Sequence, residues 1–135
     1  MNSFVLPIFC FFAIGLAGCN SKEKCARSNR AAKAWLSVNA GSAAANIAGV
    51  WFAKETAWGT IRFQQEGSRI SGVMGDCQVD GQMNGSIAYL TLSSGGCVRY
   101  SVVAKKRGLI LSGFYSASVP FSTVDQKPLE LKRVE

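Results

Sequence analysis

Residues 86–105, SIAYLTLSSGGCVRYSVVAK, contain the pattern that decides the fold of this chain. Apolar side chains stand at every second position from Ala88 to Leu92, and again from Val98 to Ala104, with Val103 as the exception. Alternation with a period of two is typical of a strand with one buried face and one wet face. Two glycines separate the runs, so the stretch predicts a β-hairpin.

The same pattern extends from about Ala48 to the C-terminus, as short alternating runs separated by clusters of Gly, Ser, Asn and Asp. Such spacing is typical of a β-meander. We predict strands at about Gly49–Lys54, Trp58–Gln65, Arg69–Met74, Cys77–Met83, Ser86–Leu92, Cys97–Lys105, Leu109–Tyr115 and Pro128–Val134. Short turns with glycine join sequential antiparallel neighbours, and about eight such strands can close into a barrel without exposed edges.

Glycines inside the expected strands, at Gly72, Gly81 and Gly113, suit tight bends at barrel corners. Together with Gly49-Val50-Trp51 they give a pattern that resembles the small barrels of lipocalin-like and avidin-like proteins. The resemblance covers most of residues 48–135. It implies an all-β, up-and-down antiparallel meander barrel and transfers no binding residue.

The N-terminus carries an apolar, uncharged run from Phe4 to Ala17. It is shorter than the ~20 residues that span a bilayer and suits a secretory signal. Leu16-Ala17-Gly18-Cys19 at its end resembles the lipobox of bacterial prolipoproteins. That resemblance implies cleavage before Cys19, fatty acylation of Cys19, for example by palmitate, and membrane anchoring. The alternative is an ordinary signal peptide that is cleaved elsewhere, since Met1-Asn2-Ser3 carries no Lys or Arg.

Three segments follow from these patterns. Residues 1–18 are expected to be a lipoprotein signal peptide, 19–47 a lipidated basic linker, and 48–135 the barrel domain. Within the linker we expect a short helix over about 23–36 and a flexible spacer at 41–46. Asn20, in place of Asp, favours the outer membrane, facing the periplasm.

The formal net charge of +7 is uneven along the chain. The linker has five basic residues and one acidic residue, and the expected hairpin tip Lys105-Lys106-Arg107 is also basic. These charges can meet lipid headgroups, lipopolysaccharide or an acidic protein, or can simply be solvated. We expect no nucleic-acid partner, because an exported lipoprotein seldom meets nucleic acid.

Cysteine usage suggests an oxidising compartment, in which three thiols remain besides Cys10 of the signal and Cys19. Cys77 and Cys97 both follow turn signals in the barrel, so we predict a bridge between them. Cys25 would then be free or available for an intermolecular disulfide. Without histidine or a close cysteine pair, we expect no metal site.

Catalysis has few candidates, because the chain lacks the histidine of common nucleophile systems. Asp76 and Asp80 could act as an acid and base pair, and Glu55 and Glu66 are further carboxylates, but polar residues near turns are usually only solvated. We therefore predict no enzymatic activity and no cofactor.

Five aromatic residues are the candidates for a ligand pocket, although aromatic side chains more often belong to a core. They are Trp51, Trp58, Tyr89, Tyr100 and Tyr115. We expect a membrane-tethered binding module for a small apolar ligand or an acidic macromolecular partner in the cell envelope. The alternatives are a periplasmic inhibitor of a protease or lysozyme and, less favoured, an enzyme that uses a carboxylate pair.

Overall fold

The computed structural model describes residues 21–53 and 58–134. A helix, α1, covers residues 21–38, where the sequence predicts one over about 23–36. The strands are β1 (Gly49–Ala53), β2 (Gly59–Glu66), β3 (Arg69–Met74), β4 (Cys77–Asn84), β5 (Ile87–Ser94), β6 (Cys97–Arg107), β7 (Ile110–Ser116) and β8 (Lys127–Arg133). The expected signal segment, Cys19 and Glu55 lie outside the described residues.

The eight strands form one closed barrel in chain order. Every neighbouring pair is antiparallel, and β8 closes the sheet on β1 with Phe52 opposite Lys132. The predicted all-β, up-and-down meander barrel is confirmed. Closure removes the unpaired strand edges that could otherwise pair with another chain.

The barrel has two chemically different ends. One carries the β1–β2, β3–β4, β5–β6 and β7–β8 connections, and we call it the aromatic end because Trp58, Tyr100 and Tyr115 lie there. The other carries the β2–β3, β4–β5 and β6–β7 turns and the end of β8. We call it the basic end, after the Lys105-Lys106-Arg107 segment.

Apolar side chains fill the interior as one cluster. Five inward positions of the β5–β6 hairpin are at most 2% exposed: Ala88, Leu90, Leu92, Val102 and Ala104. This confirms the predicted alternation from Ala88 to Leu92 and from Val102 to Ala104, whereas a register shift after Leu92 pairs Val98 with Ser93 and separates it from that pattern. Full burial of a leucine-sized side chain contributes about 1.5 to 3 kcal/mol to the stability of the fold. Burial of these side chains therefore fixes the register of β5 and β6.

Gly72, Gly81 and Gly113 all stand where neighbouring strands approach too closely for a side chain. A Cβ on Gly113 would collide with the carbonyl oxygen of Val103, and one on Gly81 would lie 2.5 Å from the carbonyl oxygen of Tyr89. Close backbone approach is therefore the physical reason for glycine at these positions.

Helix α1 packs along the outside of the barrel. Ala32 on its inner face is only 3% exposed, and the rings of Trp35 and Tyr89 meet edge to face, 5.8 Å apart. The Asn29 side chain donates to the carbonyl oxygen of Gly96 and accepts from the amide of Val98, both at 2.9 Å. The helix is thus fixed to the β5–β6 hairpin.

A disulfide joins Cys25 of α1 to Cys97 of β6, with their Cα atoms 5.3 Å apart, while Cys77 is not bridged. The predicted Cys77–Cys97 bridge is wrong. Strand β5 lies between the strands of these two cysteines, which separates their backbones by about 10 Å, more than a disulfide allows. Cys77 also packs against the interior cluster, whereas Cys97 reaches the helix outside.

The segment that follows α1 lies across the basic end and is hydrogen-bonded there. The amide of Ala44 donates to the carbonyl oxygen of Gly85, and the amide of Gly85 donates to the carbonyl oxygen of Ser42. The Gln65 side chain accepts from the amide of Ile47 and donates to the carbonyl oxygen of Ala45. Residues 41–46, expected to be a flexible spacer, are instead held to the barrel because their backbone groups pair with it.

Candidate functional site

Three of the five predicted ligand-binding aromatics meet at the aromatic end. Tyr100 and Tyr115 occupy inward positions of β6 and β7, and Trp58 immediately precedes β2. The ring centroids of Trp58 and Tyr115 are 4.6 Å apart, those of Trp58 and Tyr100 5.8 Å, and those of the two tyrosines 6.0 Å. All three are half-buried and pack against the core.

The other two predicted aromatics lie elsewhere. Trp51 is fully buried, where its indole N–H donates to the carbonyl oxygen of Ile47 at 2.9 Å and the Arg133 guanidinium lies 5.8 Å from its ring. Tyr89 faces outward beneath Trp35 of α1. The structure therefore does not bring the five residues together. Trp58, Tyr100 and Tyr115 form a three-ring cluster that covers the core at the aromatic end.

The β7–β8 loop is fastened beside this cluster by a serine–aspartate network. Asp125 accepts from the hydroxyl of Ser116 at 2.6 Å and from that of Ser118 at 3.0 Å, and the hydroxyl of Ser101 donates to the Ser118 carbonyl oxygen. The Ser116 hydrogen bond, opposed by desolvation and aided by Ser118, holds the pKa of Asp125 below its usual 3.8. The network favours the ionised carboxylate and orders the loop.

The β6–β7 hairpin forms the most basic part of the basic end. Arg107 is opposite Ile110, and Ile110 is opposite Lys132 of β8, so the two cations lie on the same outer face, on the strands that flank β7. Lys105 is exposed, and Leu109 at the tip is 68% exposed. The sequence identified the hairpin cations but not Lys132, because the β7–β8 register brings it there.

A recess of about 330 Å³ lies beside the first described turns of α1, at the aromatic end. Lys24 and Ser28 of the helix line one wall, Arg99 of β6 lines another, and Ser21 lies at the rim. Sequence reasoning missed this pairing, since Lys24 and Arg99 are brought together only by the docking of α1. Two cations with two hydroxyls can bind an anionic oxygen group.

A second groove, of about 390 Å³, lies between α1 and the outer wall of the barrel. Lys33, Arg69 and Asp80 line it together with Gln82. Its walls carry both signs of charge.

The carboxylates weighed for catalysis lie apart. Asp76 lies in the β3–β4 turn at the aromatic end, whereas Asp80 faces outward in the middle of β4. Four residues along extended chain separate them by about 13 Å, which is wider than a glycosidase pair. Glu66 is at the basic end.

Among the described residues, no group of three or more metal-binding side chains occurs, and no helix there is long and apolar enough to cross a membrane.

Comparisons with protein-family models, with curated proteins and with solved structures found no match to this chain.

Proposed function

We propose that this chain is a lipid-anchored protein of the bacterial cell envelope whose barrel binds an acidic macromolecular partner without catalysis. The anchor is acylated Cys19, as the Leu16-Ala17-Gly18-Cys19 motif implies. The binding surface is the basic end, centred on the β6–β7 hairpin. The proposal includes the resemblance of this barrel to those of lipocalin-like and avidin-like proteins.

The observation that carries the proposal is the composition of the basic end. Lys105 and Arg107 are exposed on a short hairpin, Lys132 lies on the neighbouring strand, and the apolar Leu109 projects from the tip. A positive patch around an exposed apolar side chain suits a negatively charged macromolecular surface, because complementary charge steers encounter and the apolar group adds buried area.

Packing argues against a small apolar ligand inside the barrel. Trp51, one of the predicted lining residues, is fully buried in the interior cluster, as are Leu90 and Leu111. A ligand there would have to displace close-packed side chains, which costs free energy. The three-ring cluster at the aromatic end is the remaining surface against which an apolar group of a ligand could pack.

A polyanion probe tests the basic end. Fluorescent polyglutamate is titrated with the protein and with the triple variant Lys105→Gln, Lys106→Gln, Arg107→Gln. We expect roughly tenfold weaker binding for this variant, since each exposed charge contributes up to about 1 kcal/mol, and weaker binding of the unaltered protein at high salt.

The matched control removes three charges from α1 with Arg27→Gln, Arg30→Gln and Lys33→Gln. This control variant should bind polyglutamate within about twofold of the unaltered protein. Equal losses in both variants would mean that only net charge matters, and would remove the assignment to the basic end.

The anchor is tested separately through Cys19→Ala. This variant should remain an unprocessed precursor without acyl chains, whereas the unaltered protein should partition into the detergent phase because of its acyl chains. Mass measurement of the mature N-terminus identifies the acylated residue. Partitioning and processing that do not depend on Cys19 would contradict the anchor.

A second candidate, an envelope inhibitor of a protease or lysozyme, is favoured by one feature. Leu109 is exposed on a short hairpin whose strands are paired up to Arg107 and Ile110, and a rigid projecting apolar residue is what an enzyme cleft can accept. Leu109→Ala would abolish inhibition of a target enzyme while leaving polyglutamate binding in place.

A further inference from the structure

The first described turns of α1, from Ser21 onward, lie at the aromatic end and are attached there. The Cys25–Cys97 disulfide and the two Asn29 hydrogen bonds fix the first turns of the helix to the β5–β6 hairpin. Cys19 is two residues before Ser21, a span of at most about 7 Å of extended chain. If acyl chains hold Cys19 in a bilayer, the aromatic end must therefore lie next to the headgroups. This step rests on the lipid anchor proposed above.

The recess beside the first described turns of α1 has the chemistry that an anionic headgroup needs. Lys24 and Arg99 are exposed cations on two different elements, and the hydroxyls of Ser21 and Ser28 lie on the same recess. Within the described residues that line it, none is acidic. Guanidinium and ammonium groups both bind phosphate oxygens, and hydroxyls can donate to the remaining oxygens.

We propose that this recess binds the headgroup phosphate of an anionic lipid in the membrane that carries the anchor, so that the barrel sits directly on the bilayer through its aromatic end. Lys22 and Lys127 lie at the same end and add positive charge. Glu23, Asp76 and Asp125 also lie there; Asp125 is engaged by its serine network.

Amine footprinting of the unaltered, acylated protein tests this orientation. The full chain is placed in neutral phosphatidylcholine vesicles, in vesicles that also contain phosphatidylglycerol, and in neutral detergent micelles, and lysine acetylation is followed by mass spectrometry. In the phosphatidylglycerol vesicles, Lys24, and Lys22 at the same end, should react roughly fivefold more slowly than in micelles, as expected for a basic contact with an anionic surface. Lys105, Lys106 and Lys132 at the basic end should change by less than about twofold.

A charge variant with a matched control tests the recess itself. Lys24→Gln with Arg99→Gln should remove the phosphatidylglycerol-dependent protection of Lys22, whereas Lys105→Gln with Arg107→Gln should leave it intact. Protection of basic-end lysines, or no protection at Lys22 and Lys24 in vesicles that do hold the protein, would overturn the proposal while the anchor stands.

Two further outcomes separate the sources of failure. Protein that does not float with neutral vesicles would overturn the anchor, and the orientation with it. If inorganic phosphate slows the acetylation of Lys24 on neutral vesicles as much as phosphatidylglycerol does, the recess is a site for free phosphate. Its role as a headgroup site would then be overturned.

Discussion

At the scale of single residues, Asn29 determines where α1 lies on the barrel. Its amide group donates to Gly96 and its carbonyl oxygen accepts from Val98, so one side chain pairs with two backbone groups across the β5–β6 turn. The turn needs Gly95 and Gly96, whose φ values are 63° and 77°, because few other residues adopt such angles. The glycines thereby leave a carbonyl oxygen exposed to the helix, and Asn29 satisfies it.

Asp125 gives a prediction about pH at the same scale. Because the fold lowers its pKa, the carboxylate stabilises the fold above the unfolded-state pKa near 3.8, and this contribution is lost as pH falls through the lower folded value. Asp125→Asn should therefore be less stable than the unaltered protein at about pH 6, with the difference shrinking toward about pH 3. Urea unfolding midpoints of both proteins across this range provide the measurement. A difference that does not vary with pH would contradict the role of ionised Asp125.

At the scale of strands and helices, close approach of β6 and β7 makes a second prediction. Gly113→Ala would place a methyl group against the carbonyl oxygen of Val103, so we expect a loss of about 1 to 3 kcal/mol of unfolding free energy from overpacking. Ser112→Ala is the control, since Ser112 faces solvent on the same strand. Chemical denaturation measures both, and unchanged stability of Gly113→Ala would show that the strands can separate without cost.

The attachment of α1 makes a third prediction. The Cys25–Cys97 bridge spans 72 residues, and the chain-entropy relation gives about 4 kcal/mol as the upper stabilisation for a closed loop of that size. Cys25→Ser with Cys97→Ser should lower the unfolding free energy toward that amount and increase amide exchange in α1. Cys77→Ser, the control, should retain the bridge. Free thiols at Cys25 and Cys97 in the oxidised protein would contradict the pairing.

Local signals explain which elements could be predicted from the sequence. The period of two and the glycine turns specify all eight strands to within one or two residues, and short turns leave only sequential pairing. The disulfide was mispredicted because Cys25 lies in a helix whose docking is a long-range property. The hairpin cations are contiguous, so the sequence alone predicts a basic patch there. Lys24 and Arg99 are 75 positions apart and become neighbours only when α1 packs against the barrel.

At the scale of the whole molecule, α1 runs along the outside of the barrel from one end to the other. Its 18 described residues rise about 27 Å, from the recess at the aromatic end to the segment that crosses the basic end. A chain anchored at Cys19 would therefore present Lys105, Arg107 and Leu109 well beyond the headgroups. Under the two proposals, membrane attachment and partner binding lie at opposite ends of one closed barrel and do not compete for the same cations.

This separation leads to a prediction about the anchored protein. Polyglutamate should bind acylated protein on neutral phosphatidylcholine vesicles with an affinity within about twofold of that in detergent micelles, because a basic end directed away from the bilayer stays accessible. The triple variant Lys105→Gln, Lys106→Gln, Arg107→Gln should bind weakly in both settings and serves as the control. Fluorescence anisotropy of labelled polyglutamate measures all four combinations. If binding were lost on vesicles and kept in micelles, the basic end would lie against the membrane, and the assignment of the two ends would have to be reversed.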